Sequence, residues 1–160
     1  MSNEWLKDLK KAYLFSTLST DELSVIAAVA ELHAYEPGET IFSQGDKPES
    51  LFIVRYGTVQ TETWGPTNHT EDGFGLLGSG AVFGETSLLS HSPRGTSVEV
   101  IEKTEVIRIG FDKLTLAIDT KPAVALKVYK ALAWHLGILF EKTTKEIRAL
   151  RAKQHGSHHR

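Results

Sequence analysis

The hydrophobic pattern of the chain changes period twice. Between Asn3 and Leu32 apolar residues recur at helical spacing. Trp5, Leu6 and Leu9 fall on one side of a short first helix. Ser19-Thr20-Asp21-Glu22 has the form of a capping box and predicts a second helix, with Leu18 and Leu23 placed to close a hydrophobic staple. Leu23, Ile26, Ala27 and Ala30 supply its buried stripe.

From Glu36 to Ile109 the signal becomes short apolar runs between glycines. Strands are predicted at 40–42, 51–56, 58–64, 74–77, 81–83, 96–101 and 106–109. The polar stretch 65–73 reads as a surface hairpin loop. Many short strands with tight turns mean a sandwich, a jelly roll or a barrel. After Gly110 the helical period returns, with a short helix at 112–118 and a longer one opening at Pro122, where proline suits the first turn. This last helix is expected to run to about Ala152, followed by a disordered histidine-rich tail at 153–160. Ala125, Leu132 and Leu139 are seven apart, and Tyr129 and Leu136 interlock with them toward Leu150. That spacing predicts a helix–helix seam, strongest in its first half.

Composition narrows the class without naming a function. The 160 residues are 41% hydrophobic and 24% charged, as in ordinary soluble domains. A formal charge of −2 gives no general pull toward nucleic acid or an anionic membrane. The chain has no cysteine, which excludes disulfides, thiolate metal sites and thiol catalysis. The polar, acid-bearing N-terminus is unlike a signal peptide, and no unbroken apolar run approaches the ~20 residues of a membrane span. A soluble, cytoplasmic protein without membrane contact is expected.

One stretch, 80–97, carries chemistry. Gly84 allows close backbone approach, Glu85 offers a strong acceptor to a hydroxyl, and Thr86, Ser87 and the following residues can form one helical turn with free N–H groups. Arg94, nine residues after Glu85, can fork onto two phosphate oxygens. Gly95 and Thr96 then lead into a strand with further N–H groups free to complete an anion cradle.

Phe83-Gly84-Glu85 with Pro93-Arg94 resembles the phosphate-binding cassette of the cyclic-nucleotide-binding family, which includes the catabolite activator protein and the regulatory subunits of cyclic-AMP-dependent protein kinase. Pro37–Asp46, Leu51–Gly57 and the opening helix Leu14–Leu23 are similar to the family's first strands, turns and helix. The resemblance covers roughly residues 4–150. It implies a fold that is mainly β with flanking helices: a double-stranded β-helix, or jelly roll, with N-terminal helices and a long C-terminal helix. The β-roll and N-terminal helices would occupy 1–118, and 119–152 would be a lid and dimerisation helix. The resemblance further implies that Glu85 binds a ribose 2′-hydroxyl and Arg94 a cyclic phosphate. Gly84, Thr86 and Ser87 would line the cassette, and Gly95 and Thr96 the far side of the phosphate. Relatives selective for cyclic GMP often carry threonine after the arginine, so Gly95 leans toward cyclic AMP. Leu139 and Phe140 fall where the catabolite activator protein touches adenine; apolar side chains there can pack on a base but cannot read its edge.

Simpler readings stand beside these. Glu85 and Arg94 can form a structural salt bridge with each other. His33, His69 and His91 lie on separate segments without metal-ligand spacing. His135 reads as a surface or interface residue that can face the ligand end, and Trp64 and Trp134 as core or interface aromatics. No Gly-x-Ser-x-Gly turn or acid–base pair marks an enzyme. The expected function is a regulatory module that binds cyclic AMP or cyclic GMP, needs no cofactor, and couples binding to movement of its last helix. The expected partners are a second copy of the chain, through 122–150, and a regulated protein, with no direct nucleic-acid contact. The alternatives are a sensor of a non-nucleotide ligand on the same fold and the effector domain of a DNA-binding regulator.

Overall fold

A computed structural model describes residues 2–62 and 74–157. In chain order the elements are α1 (Ser2–Lys11), α2 (Thr20–Ala27), β1 (Ala30–Tyr35), β2 (Thr40–Phe42), β3 (Ser50–Tyr56), β4 (Val59–Glu62), β5 (Phe74–Leu77), β6 (Val82–Phe83), α3 (Ser87–Ser90), β7 (Ser97–Val100), β8 (Thr104–Gly110), α4 (Phe111–Asp119) and α5 (Pro122–Ser157). The expected loop at 65–73, Trp64, His69 and the tail residues His158 and His159 lie outside the described residues.

The strands pair as a long hairpin rolled on itself. The first pairs with the eighth, the second with the seventh, the third with the sixth and the fourth with the fifth, all antiparallel. This nesting gives two four-stranded sheets, ordered β1-β8-β3-β6 and β2-β7-β4-β5. That is the jelly roll among the alternatives the strand pattern left open.

The central pair β3 and β8 is apolar on both faces, which explains why Leu51-Phe52-Ile53-Val54 shows no alternation. Leu51, Ile53, Ile107 and Ile109 point one way, into a cluster with Leu9, Phe15, Leu18, Ile26, Leu114 and Leu132 from the helices. Phe52, Val54 and Val106 point the other way, into the roll, where they meet Val59, Phe83, Val98 and Val100. The helices and the roll are therefore joined through one shared sheet. Removing any of these fully buried side chains leaves a cavity in a close-packed interior.

The helices form largely where capping chemistry and periodicity place them. Ser19 caps α2: its hydroxyl accepts from the Glu22 N–H, and the Glu22 carboxylate accepts from the Ser19 N–H. Glu22 also receives Lys127 Nζ at 2.7 Å, tying α5 to α2. Two expectations are corrected. Ala30 does not extend the second helix but opens β1, where Ala30 pairs with Ile109 and Leu32 with Ile107; tertiary pairing overrides the local helical spacing. The last helix continues to Ser157, so 153–157 is helical where a disordered tail was expected.

The seam also has a different use. Leu132 is buried, and Ala125, Tyr129 and Leu136 pack against the chain's own helical core, beside Val124 and Val128. Past Leu136 the apolar side chains Ile138, Leu139, Phe140, Ile147 and Leu150 are exposed. By length and composition alone α5 is long and apolar enough to cross a membrane, with an 18-residue window of mean hydropathy 1.4. Lys127 and Lys130 interrupt its apolar residues, so a criterion of unbroken runs does not register it.

Candidate functional site

Arg94 is a buried cation without an acid. Only 5% of it is exposed, yet it makes no salt bridge among the described residues. Its backbone is pinned by the β2–β3 turn: the Arg94 N–H donates to the Asp46 carbonyl and the Gly45 N–H to the Arg94 carbonyl, each at 2.8 Å. Its Nη1 donates to the Gly84 carbonyl at 2.7 Å and Nη2 to the Ser50 carbonyl at 2.5 Å. The guanidinium lies 4.0 Å over the Phe42 ring, a cation–π contact that orients the plane without neutralising it. Nε is buried with no hydrogen-bond partner among the described residues. Burial lowers the pKa of Arg94, opposed by the charges of Asp46 and Glu85, but an arginine keeps its proton in a protein. The net result is a fixed positive charge whose full complement of donors is not satisfied from within.

Gly84 makes room for that guanidinium. Its φ is +78°, and a Cβ there would stand 2.9 Å from Arg94 Nη1 and 3.3 Å from both Phe42 Cε2 and the Ser50 carbonyl oxygen. The glycine therefore serves the arginine's approach to the cassette backbone, in a left-handed conformation that other residues adopt at a cost.

Glu85 is 4% exposed and does not pair with Arg94. Its Oε1 accepts from the Tyr13 hydroxyl at 2.9 Å, and His135 Nε2 lies 3.5 Å from the same atom. Burial raises the pKa of Glu85 above the ordinary carboxylate range, against the opposing pull of its own backbone N–H, Tyr13, His135 and Arg94. The salt-bridge reading of Glu85 and Arg94 is thus not what the structure contains. A buried carboxylate and a buried guanidinium stand apart, one able to accept and the other to hold an anion.

Residues 32–121 match the sequence profile of the cyclic nucleotide-binding domain. The chain belongs to the cyclic nucleotide-binding domain family. It is 31% identical over 131 residues to the cyclic AMP receptor protein of Thermus thermophilus, covering 80% of this chain and 59% of that protein. It is 30% identical over 113 residues to a cAMP-dependent protein kinase regulatory subunit of Debaryomyces hansenii, covering 69% of this chain and 23% of that one. The chain thus spans less than two thirds of the length of each of these relatives. A cyclic nucleotide-binding domain from Methylobacillus flagellatus shares the fold, with a TM-score of 0.77 at 19% identity over 91% of this chain and 84% of that one.

Within this cyclic nucleotide-binding domain the expected cassette closes on itself through the Arg94 Nη1 donation to the Gly84 carbonyl. Glu85, Ser87 and Arg94 are buried, whereas Thr86 and Gly95 are exposed and Thr96 is half-buried. A Cβ on Gly95 would meet nothing within 4 Å, so its environment is open. His91 closes the α3 turn at φ 56°, a left-handed conformation uncommon for a side-chain-bearing residue. Leu139 and Phe140 are 36% and 72% exposed on α5, one turn beyond the helix residue that reaches the cassette. That residue is His135. Tyr13, Phe42 and Ser50 also belong to the site and carry no signal in the sequence, since their roles depend on segments that only the fold joins.

Proposed function

We propose that this chain is a regulatory module whose ligand is a ribose cyclic phosphate, cyclic AMP in preference to cyclic GMP. The observation that carries this reading is the buried Arg94 guanidinium, held open by Gly84, without a carboxylate partner among the described residues and with Nε unsatisfied. A singly charged cyclic phosphate supplies the missing charge and acceptors. Glu85 takes the ribose 2′-hydroxyl. Gly84, Thr86, Ser87, Gly95 and Thr96 shape the cradle, and Leu139 or Phe140 packs on the base once α5 closes. The preference for cyclic AMP is supported by Gly95 after the arginine and by the names of the Thermus and Debaryomyces relatives.

The module works by population shift: ligand favours one position of α5, and a second copy or another protein reads that position. The domain proper spans 1–118 and the reporting helix 119–152. The exposed side chains Ile138, Leu139, Phe140, Ile147 and Leu150 form the surface through which a second copy associates. Because the first half of the expected seam is occupied by the chain's own core, this contact uses the outer half of the helix. The protein is cytoplasmic, acts without a cofactor and catalyses no reaction.

Calorimetry with cyclic AMP and cyclic GMP tests the assignment. Wild type is expected to bind cyclic AMP more tightly, and Arg94→Ala to lose binding of both. No heat from either nucleotide at millimolar ligand refutes the reading and favours a non-nucleotide ligand on this fold. Sizing at high micromolar concentration should give a dimer, and a monomer there refutes the association surface.

A further inference from the structure

The carboxylate assigned to the ribose is already engaged from two sides. Tyr13 follows α1 and His135 sits on α5, yet their rings stack with centroids 4.3 Å apart and planes 29° from parallel. The Tyr13 hydroxyl donates to Glu85 Oε1 at 2.9 Å, and His135 Nε2 approaches that atom at 3.5 Å. Three segments distant in sequence therefore converge on one oxygen. Burial and the neighbouring Glu85 raise the pKa of the Tyr13 hydroxyl well above its ordinary value, so it remains a donor.

Resting on the reading of Glu85 as the ribose acceptor, we propose that Tyr13 and His135 form a clasp that occupies Glu85 in the ligand-free protein, and that a ribose 2′-hydroxyl displaces it. Engagement of the sugar and release of α5 from its ligand-free contact, which frees it to close over the base, are then one event. A buried carboxylate needs a donor in every state. In the free protein Tyr13 and His135 meet that need; in the complex the 2′-hydroxyl does. The place of His135 along α5 makes the exchange consequential. It lies between Leu132, which is buried, and the run 137–143, which is exposed, so the clasp sits where α5 leaves the core. By linkage, whatever opens the clasp favours the ligand to the extent that the ligand opens the clasp. The clasp also selects. A cyclic nucleotide lacking the 2′-hydroxyl has nothing to offer Glu85 and leaves the contact in place.

Two variants keep an aromatic ring at each position and remove the polar atom that faces Glu85, the hydroxyl in Tyr13→Phe and Nε2 in His135→Phe. Calorimetry on the full chain compares cyclic AMP with 2′-deoxy cyclic AMP. Losing a hydrogen bond to a charged acceptor should tighten cyclic AMP binding about tenfold in Tyr13→Phe, with a change below about twofold for the deoxy ligand. His135→Phe, whose contact is longer, should show a smaller gain with the same selectivity. In ligand-free His135→Phe, amide hydrogen exchange across 133–140 should be faster than in wild type. Unchanged or weaker cyclic AMP binding in both variants overturns the clasp, because Tyr13 and His135 would then be positioning the carboxylate rather than competing for it. An equal gain for both ligands also overturns it, since the 2′-hydroxyl would not be the competitor. Wild type that binds neither nucleotide overturns the ribose assignment beneath it, a result distinct from binding that the variants leave unaltered.

Discussion

Replacing Gly84 by alanine is the smallest change that should disable both the site and part of the fold. The added Cβ would enter at 2.9 Å from Arg94 Nη1, with Phe42 Cε2 and the Ser50 carbonyl oxygen at 3.3 Å behind it. Neither the ring nor the backbone can yield much, because Phe42 packs with Phe52 and Phe83 and Ser50 is in the shared sheet. The guanidinium must move. Holding a side-chain-bearing residue at a φ of +78° costs roughly 1–2 kcal/mol by itself. Disturbing the two arginine–carbonyl hydrogen bonds adds about 1–2 kcal/mol. The sum, about 2–4 kcal/mol, should lower the thermal midpoint of a domain this size by roughly 5–15 °C. Thermal unfolding and calorimetry with cyclic AMP, run on the same preparation, read the two consequences together. Nucleotide affinity should fall at least as steeply as stability, because the displaced group is the one proposed to hold the phosphate. Gly84→Ala with wild-type stability and affinity would show that Arg94 has room to spare, and the account of this glycine would be wrong.

Other expectations follow from single contacts. Ser19→Ala removes the hydroxyl of the α2 capping box and should cost about 1 kcal/mol in denaturant unfolding; no loss would mean that Glu22 and Lys127 hold the helix end unaided. Ile107→Ala, at a fully buried position on the shared sheet, should cost about 2–5 kcal/mol, with the loss read as a shift in denaturant midpoint at constant slope. Glu85 gives a pH signature. Its folded pKa is raised by burial above the unfolded 4.5, so between those values the folded state binds more protons at this group. Its contribution to stability therefore grows as pH falls through that window. Cyclic AMP affinity should weaken over the same range, as the ionised acceptor is lost. Glu85→Gln should flatten both profiles, and a slope that persists in the variant assigns it to other groups.

How much of this was legible in advance varied with the range of the interaction involved. The capping box at Ser19–Glu22 and the proline at the start of α5 are local in sequence, and the structure has them where the residues indicate. Strands β2 and β5 match their expected bounds because short apolar runs between turn residues admit few other readings. Ala30 continues a helical spacing that only pairing with β8 interrupts, so the periodicity predicts helix where β1 forms. The α5 heptads mark a packing surface without naming its partner: Leu132 meets the chain's own core, a choice no periodicity encodes.

The site divides along the same line. Phe83 to Thr96 is a contiguous stretch, so its residue types and spacing indicated an anion-holding segment and a hydroxyl acceptor from the sequence by itself. Sequence also set the capping of α2, the positions of most strands and the long last helix, all of which depend on neighbours a few residues apart. Only the tertiary structure decided that Glu85 and Arg94 stand apart rather than paired, that Gly84 yields space to the guanidinium, and that Tyr13 and His135 meet on one carboxylate oxygen. Those contacts join segments separated by 72 residues for Tyr13 and Glu85 and by 44 for Arg94 and Ser50. Their physical basis is burial, which removes water as the alternative partner and makes each polar group depend on whatever the fold brings beside it.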